Sequence, residues 1–101
     1  MEILKTLTEA VGISGEEGEV RNLILDAIEA HVDEWHVDAM GNLIALKKGT
    51  GAVPMRGLIA AHMDEVGFMV TGHDSNGYLT VKSIGGIDDK LLPALRVLVG
   101  E

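Results

Sequence analysis

Apolar residues in the first third of the chain recur at the spacing of two amphipathic helices. One set predicts a helix over residues 2–11, which Gly12 can end. A second set predicts a helix over residues 15–32, with Ser14 and Glu17 in the Ser-x-x-Glu arrangement of a capping box at its start. The apolar positions of the two helices are Ile3, Leu4, Leu7, Ala10, Val11, Val20, Leu23, Ile24, Ala27 and Ile28.

After residue 34 the pattern changes to short strands separated by turns. Trp35–Val37 and Leu43–Lys47 predict a hairpin. Its turn falls on residues 39–42, where Gly41 and Asn42 can adopt positive φ.

Further strands are predicted in the second half of the chain. The apolar run 57–61 is typical of a strand that is buried on both faces of an α/β sheet. Three more strands follow, the first two joined by a hairpin turn at residues 74–77. These three are Val66–Thr71, Tyr78–Ile84 and Arg96–Val99. The last of these predicted strands is interrupted by the end of the sequence, which is equally compatible with a natural C-terminus and with a truncated chain.

Acidic residues are concentrated in the region of the two predicted helices. Residues 1–38 hold ten acidic side chains against Lys5 and Arg21, whereas residues 39–101 hold six acids and six bases. We interpret the excess as the solvated faces of two helices, with several acids in a first turn where the helix dipole favours them. The weaker alternative is an acidic patch that attracts a cationic partner.

Composition excludes several classes of function. A net charge of −8 and only three aromatic residues argue against nucleic acid as a partner. Without cysteine there is no thiolate zinc site or cysteine nucleophile, so any metal would be held by His, Asp or Glu. No apolar run reaches the length of a membrane span, and the N-terminus lacks a signal-peptide pattern. We therefore expect a soluble, cytoplasmic protein with no membrane partner.

The candidates for chemistry directly follow the predicted strand at 57–61. Ligands in open α/β sheets bind outside the carboxyl ends of strands. In an extended segment His62 and Asp64 point to the same side, so the carboxylate could orient a metal-binding imidazole. On spacing alone, a buried His–Asp pair kept for packing is the commoner arrangement.

Two neighbouring features have their own alternatives. The same His-x-Asp spacing occurs at His36 and Asp38, which we interpret as structural because they belong to the predicted hairpin. Glu65 could support the site as a metal ligand or general base, or could be solvated or cap the backbone.

Four ordered stretches carry a resemblance to a known family. The most specific is Ala60–Val70, which contains Ala-His-Met-Asp-Glu-Val-Gly, and the others are Val11–Arg21, Val37–Ala45 and Gly85–Leu98. Together they resemble the N-terminal part of the glutamyl aminopeptidase family, which includes the tetrahedral and deblocking aminopeptidases and some members labelled endoglucanases. The resemblance extends over essentially the whole chain.

The resemblance implies a fold and roles for individual residues. It implies an α/β fold in which a three-layer metallopeptidase domain, represented by residues 1–66, is followed by the start of an inserted small β-rich domain at 67–101. His62 would bind one of two co-catalytic divalent metal ions, zinc or cobalt. Asp64 would orient the His62 imidazole, and the corresponding Asp is counted as catalytic in that family. The implied enzyme is a homo-oligomer that hydrolyses N-terminal residues from peptides.

The family's remaining metal ligands have no counterpart in this chain. Because one imidazole does not hold a catalytic metal pair, we predict that the 101 residues alone are inactive. We also expect the fold to be incomplete, with exposed apolar surface at Leu58–Ala61 that promotes association. The alternative is a stand-alone, non-catalytic α/β module that binds peptides or associates with full-length subunits.

Overall fold

The structure, a computed structural model, describes residues 2–100. They form two compact units, the first ending at Asp64 and the second beginning at Glu65. In the described chain the longest helix has 11 residues, and none of the described helices combines the length and hydrophobicity needed to cross a membrane.

The first unit contains two helices and a hairpin. Helix α1 spans Glu2–Glu9, and helix α2 spans Gly18–Ile28 and continues as a 3-10 turn at Glu29–His31. Strands β1 (Glu34–Val37) and β2 (Leu43–Leu46) pair antiparallel. The predicted helices and hairpin are therefore confirmed, with shorter helices than the apolar spacing indicated.

The predicted capping box at Ser14 is wrong. Residues 13–16 form a tight turn in which the backbone N–H of Glu16 donates to the Ile13 carbonyl at 2.9 Å. Gly15 adopts φ 96°, which fits a turn and not a helix. The Glu17 carboxylate accepts the Gly15 N–H at 2.8 Å. Helix α2 consequently begins at Gly18, and Glu17 takes the N-cap position without a side-chain cap bond.

The second unit is built on one longer hairpin. Strand β3 (Gly67–His73) pairs antiparallel with strand β4 (Leu79–Ile84), and the register shifts between Val70 and Gly72. At this bulge the Thr71 hydroxyl donates to the Thr80 carbonyl at 3.2 Å. A 3-10 turn at Asp89–Leu91 follows. Both predicted strands of this hairpin are confirmed to within a residue or two at each end.

The two hairpins close through the same five-residue turn, Asp-x-x-Gly-x. Asp38 and Asp74 each accept backbone N–H groups from the residues two and four positions later, all at 2.9 Å. The fourth residue, Gly41 or Gly77, adopts φ 85° or 87° and donates its N–H back to the Asp carbonyl. Such turns suit the twist of paired strands, and the positive φ explains the glycine.

Two predicted strands do not form. Residues 57–61 make no backbone hydrogen bond within the described chain, and Leu58 and Ile59 are 92% and 98% exposed. An apolar run becomes a strand only when a neighbour pairs with it, and no segment within residues 2–100 pairs with this one. Arg96–Val99 is irregular as well, after a turn in which Leu95 N–H donates to the Leu92 carbonyl at 3.0 Å. The expected exposure of Leu58–Ala61 is confirmed.

The core of the described chain is small and lies in the first unit. Ala10, Gly12 and Val20 are its buried residues. Each sheet within residues 2–100 has two strands. The α/β class is confirmed at the level of helices and small antiparallel sheets. The three-layer arrangement and the boundary of an inserted domain at residue 67 stay predictions.

Candidate functional site

His62 and Asp64 contact each other at the end of the first unit. The His62 Nδ1 atom lies 3.0 Å from the Asp64 carbonyl oxygen and 3.2 Å from Asp64 Oδ1. A backbone carbonyl can only accept, so this geometry assigns the hydrogen to Nδ1. In the neutral imidazole the Nε2 atom then carries the free lone pair, and this is the form of histidine that binds a metal.

The pair faces solvent. The His62 side chain is 85% exposed and the Asp64 side chain 40%. The alternative of a buried His–Asp pair kept for packing therefore does not describe this chain. An imidazole whose Nδ1–H is held by a carboxylate and a carbonyl, with Nε2 free, has the arrangement expected of an oriented metal ligand.

The donor set is that of one ligand, not of a complete site. Among residues 2–100, no group of three or more His, Asp or Glu side chains is placed to hold a metal ion. Catalytic zinc needs three protein ligands and a water. His62 could therefore supply one metal ligand, and residues 2–100 do not assemble the further ligands that such a site needs.

Within the described residues, no hydrogen bond connects the Glu65 side chain to His62 or Asp64. It is exposed and is the first residue of the second unit. Its supporting role stays a prediction.

The second His-x-Asp copy is structural, as predicted. The Asp38 carboxylate accepts from the backbone N–H groups of Met40 and Asn42 and from Asn42 Nδ2, each at 2.9 Å. The side-chain hydrogen bond from Asn42 is the main reason that the pKa of Asp38 lies below its ordinary value, and the Asn42 backbone N–H adds to it. With its oxygens committed to the turn, Asp38 does not orient His36.

Two features that the sequence did not predict lie in the first unit. Arg21 on α2 donates from Nη1 to the Gly41 carbonyl at 3.0 Å and so ties the helix to the hairpin turn. The available signal was that Arg21 is the only Lys or Arg between Lys5 and Lys47. The second feature is an apolar groove formed by α2, the β1–β2 hairpin and the residues on either side of His62. It is lined by Ile24, Ile28, Asn42, Leu43, Ala61 and Met63.

Comparison with known proteins places this geometry in context. Residues 41–101 match the family model described as M42 glutamyl aminopeptidase. A putative aminopeptidase of Acetivibrio thermocellus is 49% identical over 86 residues, which is 85% of this chain and 25% of that protein.

Solved structures agree with the sequence comparison. The TET aminopeptidase of the marine sediment archaeon Thaumarchaeota archaeon SCGC AB-539-E09 is similar with a TM-score of 0.83 and 41% identity, over 91% of this chain and 25% of that one. The Pyrococcus horikoshii TET1 peptidase, which can assemble into a tetrahedron or a large octahedral shell, is similar with a TM-score of 0.77 and 44% identity, over 90% of this chain and 26% of that one. The chain thus spans about a quarter of the length of the relatives it matches.

Proposed function

Because the chain belongs to the M42 glutamyl aminopeptidase family, we propose that it supplies His62 and Asp64 to the active site of a divalent-metal-dependent aminopeptidase. The whole enzyme would release N-terminal residues from peptides. The observation that carries this proposal is the hydrogen bonding of His62 Nδ1 to Asp64, which leaves Nε2 available to a metal.

The two residues have different tasks. His62 would bind one of two divalent ions, zinc or cobalt, through Nε2, since imidazole suits both metals. Asp64 would hold the imidazole in the Nδ1–H tautomer and at a fixed orientation, which makes it a positioning residue. When bound, the metal pair would polarise the scissile carbonyl and activate a water. Glu65 would support the site from the adjacent position.

The remaining ligands must come from outside the described residues. We propose that the 101-residue chain alone is inactive for this reason. We also propose that residues 67–101 begin an inserted β-rich domain, and that the whole protein is a homo-oligomer. The support for the homo-oligomer is that the similar TET1 peptidase can assemble into a tetrahedron or a large octahedral shell.

A zinc titration of the purified chain tests the ligand role. The imidazole ¹⁵N resonances of a ¹⁵N-histidine-labelled sample separate the four histidines. We expect Zn²⁺ to shift the Nε2 resonance of His62 in a weak one-to-one complex. His62→Ala should abolish this binding, whereas the matched control His36→Ala, which removes the other His-x-Asp histidine, should retain it. Asp64→Ala should weaken binding on the order of tenfold, as loss of an orienting partner does.

Zinc binding that survives in H62A at wild-type affinity would contradict the proposal. A separate assay tests the inactivity of the chain. Incubation of the Zn²⁺- or Co²⁺-loaded chain with short peptides should release no N-terminal amino acid above the metal-only control, and turnover removed by H62A would overturn that expectation.

A further inference from the structure

Gly12 is buried in the best-packed part of the described chain. It follows α1 and stands beside Val20 of α2, which is 6% exposed. A Cβ added at Gly12 would lie 2.7 Å from Val20 Cγ2, closer than carbon atoms approach without displacement. The same Cβ would lie 3.6 Å from the Met63 carbonyl oxygen. A side chain at residue 12 would therefore meet both Val20 of helix α2 and the backbone of Met63.

Met63 is the residue between His62 and Asp64, and the direction of both neighbouring side chains depends on its backbone. We propose that Gly12 is a positioning residue for the His62–Asp64 pair. Because Gly12 has no side chain, residues 62–64 can lie close enough to α2 for His62 Nδ1 to contact Asp64. This inference rests on the proposed function of the pair as ligand and orienting carboxylate.

The distances show why a single methyl group is enough to disturb the pair. To restore an ordinary contact of about 3.4 Å, a Cβ introduced by Gly12→Ala and Val20 Cγ2 must separate by about 0.7 Å. The Met63 oxygen lies 3.6 Å from the same Cβ, so a shift of about 0.2 Å toward it is enough to bring that contact to 3.4 Å as well. The His62 Nδ1 contact with the Asp64 carbonyl, at 3.0 Å, has an ordinary length, whereas the contact with Asp64 Oδ1, at 3.2 Å, lies at the long end of N–H···O distances. If a displacement at Met63 lengthens both contacts by a few tenths of an ångström, the Oδ1 contact passes out of this range and the carbonyl contact reaches its upper end.

The tautomer of His62 is the readout, because a residue that only adds stability would leave it unchanged. Wild-type, Gly12→Ala, Val20→Ala and G12A/V20A chains are labelled with ¹⁵N-histidine and measured at about pH 8, above the ordinary histidine pKa of about 6.5. We expect wild-type and V20A to show the Nδ1–H tautomer at His62. G12A should shift His62 toward Nε2–H, with His36 unchanged as the internal control. The double variant lacks the Cγ2 that stands 2.7 Å away, so it should regain the wild-type tautomer.

Each outcome decides the question. A folded G12A chain with an unchanged His62 tautomer overturns the proposal, and so does a wild-type chain whose His62 is in the Nε2–H form. If G12A unfolds, as loss of its dispersed amide spectrum would indicate, the G12A/V20A variant decides. Recovery of the fold and of the Nδ1–H tautomer in that variant supports the proposal. A double variant that is unfolded, or that is folded with His62 in the Nε2–H form, overturns it. The readout needs neither metal nor turnover, so failure here is distinct from failure of the zinc titration to show His62 as a ligand.

Discussion

Replacing Gly41 by alanine should weaken the first hairpin in two separable ways. Gly41 has φ 85°, a conformation that L-residues avoid. The added Cβ would also stand 3.0 Å from Arg21 Nη1, the atom that donates to the Gly41 carbonyl. The substitution therefore strains the turn and displaces the side chain that ties the turn to α2.

The chain contains a matched control for the strain alone. Gly77 occupies the same position of the same turn with φ 87°, and a Cβ there meets nothing within 4 Å. Positive φ costs alanine about 1–2 kcal/mol, and the stiffer unfolded chain offsets about 0.4–1 kcal/mol. Both variants should thus lose about 1 kcal/mol. Gly41→Ala should lose about 1 kcal/mol more, for a charged hydrogen bond that is only partly buried and can be replaced by water.

Native-state hydrogen exchange measures each hairpin separately. The Asp38 N–H donates to the Asn42 carbonyl, and the Asp74 N–H donates to the Tyr78 carbonyl, so these two amides report the two turns. A loss of about 1 kcal/mol is about a fivefold faster exchange, and about 2 kcal/mol about thirtyfold. We expect the larger effect at Asp38 in G41A and the smaller effect at Asp74 in G77A.

A double-mutant cycle identifies the source of the difference. In an Arg21→Ala background, Gly41→Ala should cost no more than Gly77→Ala, because the displaced side chain is already absent. Equal exchange effects for G41A and G77A in the wild-type background, or full additivity of R21A and G41A, would refute the reasoning.

Two further predictions concern acid and association. The pKa of Asp38 is lowered chiefly by the Asn42 side-chain hydrogen bond, and that of Asp74 chiefly by the Tyr78 backbone N–H. The stability that these carboxylates contribute is therefore present above the ordinary value of 3.8 and is lost as pH falls through the lower pKa of each folded turn. Asp38→Asn and Asp74→Asn should flatten this loss in pH-dependent hydrogen exchange, and an unchanged profile would contradict the prediction. Ile59→Asp should reduce self-association in sedimentation velocity, because Ile59 is an apolar side chain that is 98% exposed. The control Val53→Asp, in the exposed loop, should have a smaller effect. Equal effects of the two variants would show that the 57–61 run is not the associating surface.

The sequence predicted those elements whose causes are local. Both hairpins were predictable because turn-forming residues, Gly41 with Asn42 and the run 74–77, stand between two strand patterns. The structure adds that an Asp at the first position of each turn accepts its backbone N–H groups. The start of α2 was misjudged because Ser14 has the residue type of an N-cap, whereas Gly15 with φ 96° bends the chain there instead. The strand at 57–61 was misjudged because its hydrophobicity indicates burial but cannot supply the neighbour that pairs with it.

The candidate site divides in the same way. His62 and Asp64 were predictable because residues two apart in an extended segment can meet, and the structure brings them together at 3.2 Å. The contacts of Gly12 and Arg21 were not predictable, because they join residues 51 and 20 positions away, Met63 and Gly41, whose proximity depends on tertiary packing.

The unpaired run at 57–61 has a thermodynamic consequence for the residue that follows it. A strand that hydrogen-bonds to this run would remove the conformational freedom of the segment leading into His62, so less entropy would be lost when Nε2 binds a metal ion. Linkage makes this effect reciprocal: a metal held at His62 would increase the affinity of the run for its partner strand by the same factor. If His62 binds a metal as proposed, pairing of the 57–61 run and metal binding would form one coupled equilibrium, connected through the peptide bond between Ala61 and His62.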